Sequence, residues 1–154
     1  MSFHERLLRD TQQARAGLLG APIIQGCLRG EVSLASYLAF LEQAWHHVRH
    51  TVPLLKACKA PLPAHHAWLQ GPLDEYVEEE QGHDEWILDD IRACGGDVDA
   101  VRRSRPDPAA EVMLAYAYDT IARGNPLGFF GMVHVLEGTS VSLALLAADS
   151  IQKP

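Results

Sequence analysis

The chain has 154 residues with 13 Lys+Arg against 20 Asp+Glu, a formal charge of −7. A surface of that sign repels a phosphate backbone, which excludes nucleic-acid binding by bulk electrostatics. At 47% hydrophobic and 21% charged residues the chain buries a core rather than staying disordered, and its length is that of a single domain, 1–154. The most apolar stretch, Gly124 to Ala148, is interrupted by Asn125, Pro126, His134, Glu137 and several glycines, which argues against a membrane span. The N-terminal MSFHERLLRD lacks the continuous apolar core of a secretory signal, so a cytoplasmic protein is expected. Cys27, Cys58 and Cys94 are an odd number without C-x-x-C spacing, which argues against a disulfide scaffold and a thiolate zinc site. The eight histidines are unusual, and carboxylates accompany them, as metal sites require.

No strand-like alternation is present, whereas apolar residues recur at helical spacing; the fold class is all-α, with about five main helices. Ser2 and Glu5 form a capping box that opens a first helix ending near Gly17 or Gly20. A short helix fits Pro22 to Leu28. Ser33 caps a long one to about Lys59, with Leu34, Leu38, Leu41, Trp45, Val48, Val52 and Leu55 as its seam and Pro53 kinking its last turns. A helix from Ala64, interrupted at Gly71 and Pro72, resumes to Ala93, where Gly95 and Gly96 end it. The segment Asp97 to Asp107 reads as a surface connection with one helical turn at most. Asp107 and Pro108 start a helix to about Arg123, and Asn125 and Pro126 start the last one.

Polar residues inside the apolar seams carry the chemistry. In the seam Leu73, Val77, Glu80, Asp84, Ile87, Ile91, Cys94, the inward Glu80 shares a face with His83, the E-x-x-H arrangement that offers a carboxylate and an imidazole to one metal. The same EEEQGHDE run also reads as a solvated charge cluster. The last helix has the seam Leu127, Phe130, His134, Glu137, Val141, Ala144, Ala148, Ile151 and a second apolar face through Phe129, Val133, Leu136, Leu143 and Ala147. It is therefore expected to be central and buried, with Glu137 needing a cation or a proton there. Gly131 and Gly138 either admit a neighbouring backbone or merely loosen the helix. On the long helix Glu42, His46 and His50 form one stripe. Glu42 is a candidate bridging ligand or a boundary residue paired with Arg49 or His46, and the histidines line a pocket or orient ligands. Tyr116 and Asp119 share an inward face with Val112. The three cysteines have no neighbouring base and read as inert thiols.

The blocks SYLAFLEQAWHHVRHTVPLL, EYVEEEQGHDEWILDDIRACGGD and RGNPLGFFGMVHVLEGTSVSLALLAAD together resemble the iron-containing redox enzymes of the heme-oxygenase-like superfamily, relatives of the TenA and PqqC proteins. The resemblance spans roughly residues 33 to 152 and implies a helical bundle housing nonheme iron, mononuclear or dinuclear. Glu80, His83 and Glu137 are the implied ligands, Glu42 is the nearest match to a carboxylate on the long helix, and His134 is a candidate from the seam alone. Members usually continue into a further helix with a His and Asp cluster, so this chain is expected to lack that last ligand helix.

The function expected is an iron-dependent oxidoreductase that activates dioxygen to oxidise a small organic substrate, in a pocket lined by Trp45, His46, His50, Trp86, Tyr116, Phe129 and Phe130. A homodimer is expected. The alternatives are a noncatalytic helical binding or interaction scaffold, and a metal-independent oxidase in the PqqC manner with His46, His47 and His50 as acid/base groups.

Overall fold

The computed structural model describes the backbone of residues 1–151 and the side chains of residues 1–139 and of Leu143. Its described residues form ten α-helices and two short 3-10 segments and no strand. The chain is all-α, as its periodicity requires, but more finely divided than the five main helices expected.

Each extra division has a local cause. The capping box forms as predicted: Ser2 Oγ accepts from the Glu5 amide at 3.2 Å and the Ser2 amide donates to Glu5 Oε2 at 2.6 Å. Helix α1 (Phe3–Asp10) then stops at Thr11 rather than near Gly17, and α2 (Gln12–Leu19) follows. The Thr11 hydroxyl donates back to the Leu7 carbonyl at 2.7 Å, a side-chain bond that competes with the helix ladder. Helix α3 (Pro22–Arg29) ends on Gly30 in the left-handed region, at φ 68°.

The long helix is likewise two helices, α4 (Leu34–Val48) and α5 (Thr51–Lys59), separated at Arg49 and His50. The Ser33 hydroxyl caps α4 by accepting from the Ser36 amide at 3.1 Å. Pro53 sits in the first turn of α5, and its effect falls four residues earlier than the kink expected near the helix end. Proline has no N–H for the Arg49 carbonyl, and its ring crowds that carbonyl. The ladder resumes one residue later, with the Leu54 amide donating to His50 O at 2.9 Å.

After a 3-10 segment, Ala64–Leu69, helix α6 (Gln70–Glu79) carries Gly71 and Pro72 in its first turn, where proline is tolerated, instead of being interrupted by them. The break comes at Glu80–Gly82, with Gly82 at φ 91°, before α7 (His83–Ala93). Asp97 caps α8 (Val98–Arg103) by accepting from the Ala100 amide at 2.9 Å. The expected surface connection is thus a helix that buries Val101. Helix α9 (Pro108–Arg123) precedes the 3-10 segment Pro126–Gly128 and α10 (Phe129–Ile151).

The chain groups into two units, Met1–Ser36 with the segment from Phe130 onward, and Tyr37–Phe129. In the second, α5 packs on α6 and α9, and α7 on α8. Leu41, Trp45, Leu88, Ile91 and Val101 form one buried cluster, with Tyr37, Leu38, Ile87 and Val98 against it. Leu54, Leu55, Cys58, Leu73, Leu114, Ala117 and Ile121 are also buried, through α5, α6 and α9. The leucine and isoleucine side chains among these stabilise by about 1.5–3 kcal/mol each relative to exposure. In the first unit α1 and α2 bury no residue and α3 buries Gly26 alone. Phe130 to Glu137 of α10 are half-buried rather than enclosed on all sides as their apolar pattern suggested. The seam positions Val141, Ala144, Ala147, Ala148 and Ile151 lie outside the described side chains.

Candidate metal centre

Glu80 and His83 meet at the turn between α6 and α7. Their geometry is not the continuous-helix E-x-x-H that the seam suggested. Glu80 is the C-cap of α6, its amide donating to Tyr76 O at 3.0 Å, and the left-handed Gly82 turns the chain so that His83 opens α7. The turn still brings the side chains together: His83 Nδ1 and Glu80 Oε2 are 3.0 Å apart, with the side chains 30% and 15% exposed. The indole of Trp86 lies against the imidazole, ring centroids 4.3 Å apart and planes inclined by 34°. If Nδ1 carries the proton and donates it to the carboxylate, Nε2 presents a lone pair. This is how a carboxylate orients a metal-ligating histidine. Asp84 is half-buried one residue on, whereas Glu78 and Glu79 face solvent as expected.

His134 and Glu137, three residues apart on α10, are both half-buried. His134 Nε2 is buried without a hydrogen-bond partner among the described residues, as is His66 Nδ1. Burial pushes the Glu137 carboxyl above its ordinary value, because the charged form loses hydration. An added Cβ at Gly138 would stand 3.6 Å from His134 Nδ1, and one at Gly131 would meet nothing within 4 Å.

The stripe on α4 is committed to structure. His46 is buried, and its Nε2 lies 2.8 Å from Ser104 Oγ. That hydroxyl donates to Val101 O at 2.9 Å, so His46 supplies the proton of their shared bond. His50 Nδ1 lies 3.0 Å from the Tyr118 hydroxyl. Burial, with the charge of Arg49, lowers the proton affinity of both imidazoles, and burial does the same for His47. Glu42 is half-buried, and its charge acts on His46 in the opposite sense.

Three of the expected pocket residues, Trp45, Trp86 and Tyr116, have different surroundings. Trp45 fills the α4, α7, α8 core, its indole N–H buried without a hydrogen-bond partner among the described residues and its face under the Arg49 guanidinium at 4.8 Å. Trp86 and Tyr116 are surface side chains, 63% and 72% exposed. The periodicity puts Tyr116 on an inward face with Val112 and Asp119, but Val112 is exposed and Asp119 pairs with Arg123 at 2.5 Å on the surface. Helix α9 has two apolar stripes, and the buried one runs through Leu114, Ala117 and Ile121. Phe129 is buried and Phe130 half-buried. Sequence reasoning missed Tyr118 and Ser104. The only signal for Tyr118 was its place two residues from Tyr116, on the competing stripe.

The donors suit iron in kind, imidazole with carboxylate. In number they stop at pairs: among the described residues no group of three or more His, Cys, Asp or Glu side chains is arranged to hold a metal ion. No helix among the described residues is long and apolar enough to cross a membrane.

An all-helical scaffold carrying i, i+3 carboxylate–imidazole pairs has the donor types that metal sites in helical bundles use. Residues 38–153 match the family of iron-containing redox enzymes, and the chain belongs to that family, within the heme-oxygenase-like superfamily. Membership makes it an oxidoreductase by class, with iron as the family's metal. No curated protein and no solved structure matches the chain.

Proposed function

We propose that the chain is a cytoplasmic nonheme-iron oxidoreductase that uses dioxygen to oxidise a small organic substrate. Glu80 and His83 serve as iron ligands, Glu137 as a further carboxylate ligand, and His134 and Glu42 as auxiliary donors. The observation that carries this reading is the half-buried Glu80–His83 pair at 3.0 Å, inside the segment matched to the iron-containing family. Bound iron supplies a one-electron redox couple and open positions for dioxygen. The chain's own part is positional and electrostatic. Glu80 and His83 are held together at the turn, Trp86 limits the rotation of the His83 ring, and partial burial strengthens the attraction of both side chains for a cation. Glu137, disfavoured as a carboxylate by burial, regains its charge beside a cation. Kinship to the TenA and PqqC proteins and a homodimeric state belong to the same proposal.

Anaerobic Fe(II) titration of the purified protein tests it. Binding at micromolar concentration or tighter is expected, weakened by Glu80→Ala and by His83→Ala at least as much as the roughly 10–100-fold that loss of an orienting partner costs. Failure to take up iron, or uptake unchanged by Glu80→Ala, His83→Ala and Glu137→Ala alike, overturns the assignment.

A further inference from the structure

The His50–Tyr118 bond has no part in the donor pairs above, and its chemistry is specific. Pro53 breaks the helix at Arg49–His50, so His50 becomes the N-cap of α5 and its ring reaches α9. There Nδ1 stands 3.0 Å from the Tyr118 oxygen, with the rings 5.8 Å apart and nearly perpendicular at 82°. Both side chains are half-buried, and both are flanked by buried neighbours, Thr51 beside His50 and Ala117 beside Tyr118. The pair is thus held by packed helices rather than by exposed rotamers.

The groups around it set its protons. Burial, Arg49 and His46 keep the His50 imidazole below its ordinary value, so it is a neutral base at neutral pH. Burial keeps the Tyr118 phenol protonated, against the opposing influence of Arg49. His47, itself held neutral by burial, adds no lasting charge. With the one proton of the neutral imidazole on Nε2, Nδ1 accepts from the Tyr118 hydroxyl, and the two atoms are within the reach that proton transfer requires.

A phenol that loses an electron becomes a very strong acid, and its oxidation is eased wherever a base can take the proton at once. We propose that Tyr118 is a redox-active tyrosine that gives one electron to a one-electron oxidant of the oxidised-iron class, while its hydroxyl proton passes to Nδ1 of His50. The O–H bond breaks and an N–H bond forms. Tyr118 becomes a neutral tyrosyl radical, His50 an imidazolium, and the oxidant is reduced by one electron. The return of the electron and the proton restores the pair. For its oxidant the proposal rests on the reading of the chain as an iron-dependent oxidoreductase; for its proton path it rests on the His50–Tyr118 geometry alone.

The test uses metal-free protein and a photogenerated tris(bipyridine)ruthenium(III) oxidant, with the tyrosyl radical followed by transient absorption and by electron paramagnetic resonance after freezing. Tyr118→Phe is expected to remove the long-lived radical, although Tyr37, Tyr76 and Tyr116 remain. His50→Gln, which can still hydrogen-bond but is no base, is expected to lower its yield at least about tenfold. Deuterated solvent should slow radical formation in the wild type and have a smaller effect in His50→Gln. If either variant loses its helical circular dichroism, the deuterium effect on the wild type alone decides. A radical unchanged by Tyr118→Phe, a yield unchanged by His50→Gln, or the absence of a deuterium effect overturns the proposal. Because the sample holds no iron, a radical at Tyr118 stands even if Fe(II) titration fails. A failed radical test beside successful titration removes the tyrosine alone.

Discussion

The two units reach helical structure by different physical routes. In Tyr37–Phe129, helices are held by what they bury: Leu54, Leu55, Leu88 and Cys58 have no solvent exposure at all. In the other unit, α1 is a well-capped helix with a reciprocal Ser2–Glu5 box and an exposed Phe3, and neither it nor α2 buries a residue. The first route yields stability that depends on shape, the second on local hydrogen bonds and propensity. Isolated helices as short as these are marginal in water. Packing side chains should therefore be costly to remove in one unit and nearly free in α1 and α2 of the other.

The largest effect expected is in the packed unit. Leu88→Ala removes a fully buried side chain from the cluster with Leu41, Trp45, Ile91 and Val101 and should cost about 2–5 kcal/mol of unfolding free energy. Phe3→Ala, at a comparably large apolar side chain in the other unit, should stay within about 0.5 kcal/mol. Urea denaturation of both variants measures the contrast, and equal losses would break it. Gly96→Ala comes next. A Cβ there would lie 2.7 Å from Ile91 Cγ2 and 3.0 Å from Leu38 Cδ2, and overpacking of this kind should cost about 1–3 kcal/mol.

Gly82→Ala should cost about 1–2 kcal/mol, because its φ of 91° is left-handed backbone that an L side chain resists. Its Cβ would meet nothing within 4 Å, so the cost is conformational. The turn also sets the Glu80–His83 contact, so Fe(II) affinity should fall together with the melting temperature. A loss of stability with unchanged affinity would show that the pair does not need this turn.

Those glycines and breaks mark the limit of what periodicity reveals. The all-α class, the Ser2 and Ser33 caps and the Glu80–His83 adjacency were legible in the sequence, because each depends on residues three or four apart; Asn125 caps too, but the 3-10 segment rather than the last helix. The breaks at Thr11 and Arg49–His50 were not. The apolar seam runs through both, and the interruption comes from a single carbonyl, that of Leu7 or that of Arg49. On α9, two stripes of similar apolarity compete, and tertiary packing chose Leu114, Ala117 and Ile121 over Val112 and Tyr116. That choice carried Tyr118 to His50, a partner 68 residues away that no local pattern encodes.

A smaller effect probes the capped unit. Ser2→Ala removes the acceptor for the Glu5 amide and should destabilise α1 by about 1 kcal/mol. Amide hydrogen exchange should show faster exchange in residues 3–10 and no change in α5, α7 or α9. Propagation into those helices would break the separation of the two routes.

The smallest effect expected is a slope with pH, and its sign should differ between the units. His46, His47 and His50 have imidazoles lowered from 6.5, by burial above all. The unfolded chain then binds more protons, so their contribution is complete above 6.5 and is lost as pH falls from there through the folded values. Glu137 is the reverse: its carboxyl is raised from 4.5 by burial. The folded form binds more protons, so its contribution is complete below 4.5 and is lost as pH rises through the folded value. Acidification from neutral pH should therefore increase local opening of α4 and α5 and decrease that of α10 around Glu137, once exchange rates are corrected for intrinsic pH dependence. His47→Gln should flatten the first slope and Glu137→Gln the second, each leaving the other unchanged. If one substitution flattens both, the two helices open as a single cooperative unit, and the difference in how the two regions are stabilised does not extend to their electrostatics.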